Sequence, residues 1–267
     1  MKAYNAIALC GVISCYLTAQ SQTDPNDPLT FEVASVKMST AGCPPECGLV
    51  RPLPGNRQYH AEGATLQSLM TIAYQVTPRQ ISGGPSWLNS DRFNIDAKAA
   101  RPRTSDELHE MLAHLLEERF HLKIRRENRQ ESVMALVVDK SGSKMPVHDP
   151  EDKDYPPIGG RGGRGADGLI CGGLDGHNVM MNYFAFYLSR VLGKAVIDKT
   201  GLPARYDVSV QFAPDLAQMG PEGAAMIGPD CQDISMALPK QLGLRLEPAK
   251  GPVEYLVVEH AEKPTEN

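Results

Sequence analysis

"RFNI" at residues 92–95 and "RYDV" at 205–208 occupy the same place in two stretches that superpose without a gap, 63–97 on 176–210. In that superposition Gly63 meets Gly176, Leu66 meets Val179 and Tyr74 meets Tyr187. The match runs on: Leu112, Leu116, Phe120, Leu122 and Ile124 fall on Ile234, Leu238, Leu242, Leu244 and Leu246, and "ALVV" (135–138) falls on "YLVV" (255–258). Self-similarity at so long a period points to one unit laid down twice.

Each unit carries the same run of local signals. Leu66, Leu69, Met70, Ala73 and Val76 recur at helical spacing and predict a first helix over 65–76. Its counterpart runs from Asn178, a good N-cap residue, to Gly193, a good helix stop. Short strands follow, "RQIS" then "RFNIDAKA" in the first copy and "KAVID" then "RYDVSVQF" in the second. A second helix opens at a capping box, Thr104 to Glu107, with Leu108, Met111, Leu112, Leu115 and Leu116 on one face. In the second copy Pro239 should shorten or bend that helix. Each copy closes with two alternating strands read as a hairpin, "HLKIRRE" with "SVMALVVDK" and "LRLEP" with "VEYLVVEH".

The expected fold class is therefore α+β, two tandem β-α-β-β-α-β-β units from an internal duplication, each a small sheet with helices packed on it. "FEVASVKMS" adds a leading strand. The expected organisation is a signal peptide over 1–21, a first unit over 22–148, a Gly/Pro-rich linker over 149–168 and a second unit over 169–267.

Bulk properties narrow the role. The 267 residues carry 27 basic and 32 acidic side chains, a net charge of −5 that gives no pull toward nucleic acid. At the N-terminus Lys2 precedes an apolar run over 6–17 and then small and polar residues, a signal-peptide pattern too short to anchor a span, with cleavage after Ala19 or Ser21. A rival reading takes "VISC" as a lipoprotein box, with Cys15 as a lipid-anchored first residue. No later stretch is apolar enough to span a membrane, so the expected location is periplasmic or extracellular. Four cysteines follow the leader, and in an oxidising compartment they read as two disulfides. Cys43–Cys47 across "CPPEC" and Cys171–Cys231 are favoured among the three pairings; their spacing matches no zinc pattern.

Several motifs imitate active sites. "SGSK" (141–144) followed by "KTG" (199–201) has the vocabulary of serine acyl-enzymes. There the serine opens a buried helix, whereas here "SGSK" ends a strand and runs into Pro146, and "DKTGLPARY" reads as a turn. "HEMLAH" puts His109 and His114 five apart, about 140° around a helix, so they cannot share a metal and read as a solvated face. "GRGGRG" (160–165) has no preceding strand or following helix to cradle a phosphate and reads as linker. No cofactor, metal site or catalytic residue is expected. Trp87, the single tryptophan, reads as a core or edge anchor with an exposed binding aromatic as the sharper alternative. Arg92 and Arg205, at equivalent positions, read as structural salt bridges with Asp198 a candidate partner. Those four residues are the candidate binding positions.

The halves resemble the short N-terminal domain of secretins and TonB-dependent receptors, most clearly along "LHEMLAHLLEERFHLKIRRENRQESVMALVV". The chain from Phe31 to Asn267 is more closely similar to an exported family of unknown function expanded in soil acidobacteria. The phrases "FEVASVK", "ISGGPSWLNSDRFNIDAKA", "AVIDKTGLPARYDVSV" and "QLGLRLEPAKGPVEYLVVEHAEKPTEN" carry that likeness. Some relatives are fused to membrane-bound sensor peptidases, which implies a sensing module by analogy. The family brings no activity and no catalytic residues. The expected role is a non-catalytic envelope binding protein for a protein partner or small ligand, with an envelope hydrolase or a regulatory sensing module as alternatives.

Overall fold

A computed structural model describes residues 28–39, 48, 50–53, 57–149, 158–164, 170–213, 227–228 and 231–265. The leader, Cys15 and the Cys43–Cys47 pair lie outside the described residues. In chain order the elements of the first half are β1 (Val33–Met38), β2 (Val50–Pro52), β3 (Gln58–Thr65), α1 (Leu66–Ala73), β4 (Ile81–Gly83), β5 (Arg92–Lys98), α2 (Ser105–Arg119) and β6 (Lys123–Val138). The second half follows with β7 (Gly159–Arg164), β8 (Ile170–Val179), α3 (Met181–Leu192), β9 (Val196–Asp198), β10 (Tyr206–Phe212), α4 (Ile234–Gln241) and β11 (Leu244–His260). The protein is a mixed α+β fold with three sheets and four α-helices among the described residues.

Local signals set the helix ends. Thr65 accepts the Ser68 N–H and caps α1. Thr104 and Glu107 close the expected capping box, each side chain accepting the other's backbone N–H, with Asp106 and Glu107 in the electropositive first turn. Gly193 ends α3, but that helix starts at Met181, with Met180 as the capping residue in place of Asn178. Helix α4 is only eight residues long and holds Pro239 in its last turn. Lys144 Nζ donates to the carbonyls of Pro239 and Lys240, at 3.0 and 2.9 Å, and so caps that C-terminus.

Two sheets have matching orders. One runs β1-β5-β3-β2 and another β10-β8-β7, so β5, β3 and β2 correspond in position to β10, β8 and β7. Their central strands carry the same bulge. Gly63 and Asn178 both take positive φ, 58° and 55°. Their N–H groups donate to Asn94 Oδ1 (2.8 Å) and Asp207 Oδ1 (3.1 Å). Their carbonyls accept from Arg92 Nη1 (2.7 Å) and Arg205 Nη1 (3.2 Å). Asn178 thus serves as bulge residue rather than as helix cap, since an asparagine tolerates the left-handed region. The geometric partner of Gly63 is Asn178, two positions on from the ungapped match with Gly176.

The third sheet departs from tandem hairpins. Strands β6 and β11 are single runs of 16 and 17 residues, paired with each other antiparallel from Leu244↔Val138 to His260↔Lys123. The sheet order is β4-β11-β6-β9: β4 of the first half adds in parallel to β11 of the second, and β9 of the second adds in parallel to β6 of the first. The halves are therefore interleaved. The expected first turn, residues 128–131, contains no glycine or proline to reverse the chain. Cross-strand contacts instead hold the ladder straight: Arg126 to Glu254 at 2.8 Å, Arg125 to Glu259 at 3.1 Å, and the Tyr255 hydroxyl to Glu131 at 2.6 Å. Pro248 and Pro252 share one parity on β11, whose outer edge is covered by β4 only at Leu256–Val258, so the missing N–H groups are tolerated there.

The stretch read as linker is corrected in part. Residues 159–164 form β7, an outer strand on β8. Glycines give its backbone no bar to an extended course, and the ladder of β8 supplies the pairing that sequence pattern did not reveal. One continuous hydrophobic core joins both halves, with Phe93, Phe120, Leu112 and Leu116 from the first and Phe184, Leu188, Leu238 and Leu244 from the second.

Candidate functional site

Helices α1 and α3, the corresponding helices of the two halves, flank a cleft of about 840 Å³. Strand β2 and helix α1 contribute one wall, with Ser68, Thr71 and Ile72; β7, β8 and α3 contribute the other, with Leu174, Tyr183, Tyr187, Arg190 and Val191. His109 of α2 also borders the space.

His109 is 1 % exposed. Position 109 lies one residue from Leu108 and three from Leu112, so it turns with the core face of α2 and not with the solvated face expected for both histidines. His114 takes the exposed side, its Nδ1 2.8 Å from the Leu29 carbonyl. His109 Nε2 lies 3.2 Å from the Tyr183 hydroxyl, and its Nδ1 is buried without a hydrogen-bond partner among the described residues. Burial pushes its pKa down to about 4, against a smaller pull upward from Asp106, so the ring is neutral at neutral pH. Burial likewise raises the Tyr183 phenol. Tyr59 packs near the same ring, centroids 6.3 Å apart, with a buried hydroxyl that also lacks a partner among the described residues.

Arg190 stands at the rim. It is exposed, with its guanidinium 5.5 Å from the Tyr187 ring centre and 5.8 Å from that of Phe186. It also borders a second cavity of about 540 Å³, lined in part by Gln80, Glu131 and Tyr255.

The four residues singled out from sequence line neither cavity. Trp87 is half-buried, stacked 6.5 Å from Phe120 and edge-on to Phe93 at 6.1 Å, with Lys263 Nζ over its ring. Arg92 and Arg205 hold the two bulges. Arg205 also pairs with Asp106 of α2, not with Asp198, whose carboxylate accepts the Thr200 N–H and hydroxyl in a turn. The acyl-enzyme vocabulary resolves the same way: Ser141 donates to Asp139 and Lys144 caps α4. Asp207 gathers His148 Nδ1 at 2.7 Å, His177 Nδ1 at 3.3 Å and the Asn178 N–H. Partial burial opposes its charge, but those donors hold the carboxyl below its ordinary value. The His148 N–H donates to Arg205 O and the Asp207 N–H to Pro146 O, so this cluster sews residues 146–148 onto the edge of β10.

The sequence missed His109, Tyr183 and Arg190 as a group. The aromatic run "NYFAFYL" (182–188) fits the core face of a helix, but nothing in one chain says that α3 faces α1. Among the described residues no group of three or more His, Cys, Asp or Glu could hold a metal ion, and no helix is long and apolar enough to cross a membrane. Sγ of Cys171 is bonded to that of Cys231, Cα atoms 5.8 Å apart, as expected.

Fold and cleft together define an α+β protein whose strands interleave in one sheet, with a cavity between α1 and α3. A model of the family described as protein of unknown function (DUF3738) matches residues 67–261, and the chain belongs to that family. No curated protein and no solved structure matches the chain.

Proposed function

We propose that the protein is an exported, non-catalytic binding protein of the cell envelope that holds its ligand in the cleft between α1 and α3. The observation that carries this reading is the cleft itself: about 840 Å³, walled by aliphatic and aromatic side chains with few polar groups, the ordinary make-up of a small-molecule site. The signal-peptide pattern supports export, and Cys171–Cys231 suits an oxidising compartment. Each half is read as a variant of the short N-terminal domain of secretins and TonB-dependent receptors, duplicated and with its closing hairpin opened into β6 or β11. Strand addition along β10 is disfavoured, because Pro146, His148, Gln232 and the Gln241 side chain already bond its edge.

The test is retention from envelope extract on immobilised protein lacking residues 1–21, followed by mass spectrometry of the bound fraction. Recovery of one small molecule, displaced by a bulky residue at Val191 in the cleft, supports the reading. Turnover of ester, amide or glycoside substrates would overturn it in favour of a hydrolase.

A further inference from the structure

The chemistry of the cleft narrows its ligand class. Val50, Leu53, Ile72, Leu174, Tyr183 and Tyr187 make most of the lining apolar. Besides the two tyrosines, the ionisable lining residues are Arg51, His109, Asp175 and Arg190. Arg51 and Asp175 are each engaged in other contacts, Asp175 accepting the Ser209 hydroxyl at 2.7 Å. His109 is neutral and buried. That leaves Arg190, which has no carboxylate partner among the described residues. Its guanidinium rests on the rings of Tyr187 and Phe186. A cation fixed on aromatic faces has lost much of its rotamer freedom before any ligand arrives, so an anion meeting its free side orders little more. Of these two rings Tyr187, half-buried in the cleft wall, offers flat surface to a planar apolar group.

We propose that the cleft takes a small amphiphile, a flat apolar body bearing one anionic group, with the anion at Arg190 and the body against Tyr183 and Tyr187. This rests on the binding reading above and assigns it a ligand class. A cationic ligand is disfavoured because Arg190 stands at the rim and the Asp175 carboxylate is already held. A polar, uncharged ligand would leave its hydrogen-bonding groups against an aliphatic wall, at a cost of about 1–3 kcal/mol for each one left unpaired.

Two dyes that share a ring system separate the parts of the claim: anionic 8-anilinonaphthalene-1-sulfonate and neutral N-phenyl-1-naphthylamine. Each is titrated by fluorescence against the chain lacking residues 1–21, against Arg190→Gln and against Val191→Trp, with near-UV circular dichroism to show that all three are folded. Both dyes bind the wild type. Arg190→Gln weakens the sulfonate dye by about tenfold, as loss of one charge-assisted contact requires, and shifts the neutral dye less than about twofold. Val191→Trp weakens both. If the sulfonate dye binds Arg190→Gln as well as wild type, the anion claim falls while a neutral-ligand cleft stands. If neither dye binds, the ligand class is wrong, and recovery of a partner from envelope extract would still sustain the binding reading.

Discussion

Nε2 of His109 lies 3.2 Å from the Tyr183 hydroxyl, so α2 of the first half and α3 of the second meet through a buried polar contact. This pair lines the cleft. Burial holds the His109 pKa at about 4 against about 6.5 in an unfolded chain, so only the unfolded state binds the proton between those values. The neutral ring's stabilisation is complete above about pH 6.5 and is lost as pH falls toward 4. Urea midpoints at pH 7.5 and 4.5 report the loss. In His109→Leu the drop in stability between the two pH values is smaller by about 2 kcal/mol. An equal drop in both proteins means that other groups carry the acid sensitivity.

Arg205 joins the second bulge to Asp106 of α2, and so links the halves at the surface of the fold. Both side chains are about one-third exposed, which screens the pair. A double-mutant cycle on Asp106→Asn and Arg205→Gln gives a coupling of roughly 0.5–1 kcal/mol by urea denaturation. The single Arg205→Gln variant costs more than Asp106→Asn, because it also strips the Asn178 carbonyl of its donor.

The Cys171–Cys231 bond ties β8 to the segment just before α4 and closes a loop of 60 residues. On chain-entropy grounds it contributes about 4 kcal/mol. Paired replacement of both cysteines by serine lowers the urea-derived stability by up to that amount, and reductant destabilises wild type more than it does the variant, which beyond the leader keeps only Cys43 and Cys47. A variant as stable as wild type would show that residual structure already constrains the reduced chain.

What the sequence showed and what it hid divide along a physical line. Local chemistry was legible: the Thr104–Glu107 box, the Gly193 stop and the short Pro239 helix all follow from the backbone needs of a few neighbouring residues. Pairing between distant strands was not. An alternating run such as 123–138 has the same pattern whether it folds back on itself or pairs with 244–260, since period 2 gives the buried face but not the partner. The cleft was hidden for the same reason, because its two walls come from halves more than a hundred residues apart. Gly159 and Gly160 on its rim were masked by a composition that reads as linker.

Gly243 turns the chain from α4 into β11 with φ +67°, where its carbonyl accepts the Asp139 N–H at 2.8 Å. A Cβ there would stand 1.9 Å from the Gly142 carbonyl oxygen, a backbone atom that cannot step aside. Gly243→Ala therefore strains the left-handed turn and forces it off the 139–144 loop, which also pulls Lys144 from the end of α4. The expected loss is at least about 1–3 kcal/mol, read as a lower urea midpoint at unchanged slope. Gly48→Ala is the control: it has positive φ of its own but nothing among the described residues within 4 Å of an added Cβ, so it shows the backbone cost.

Interleaving decides whether the halves can live apart. If each were a closed unit, residues 22–148 and 149–267 would fold separately. In the structure, β6 without β11 presents sixteen residues of unpaired edge, and β4 and β9 each lose the one strand they add to. The core is also continuous across the division, so each half alone exposes Leu136 or Leu244 and Leu256, which are fully buried in the whole. Each half expressed alone is expected to show little protection against amide hydrogen exchange along 123–138 or 244–260. Mixed at equal concentration the two restore it, with a concentration-dependent stability as for any two-chain assembly. Full protection of 123–138 in the isolated first half would mean that its strand folds back as a hairpin, and the exchange of strands between halves would then not be required for folding.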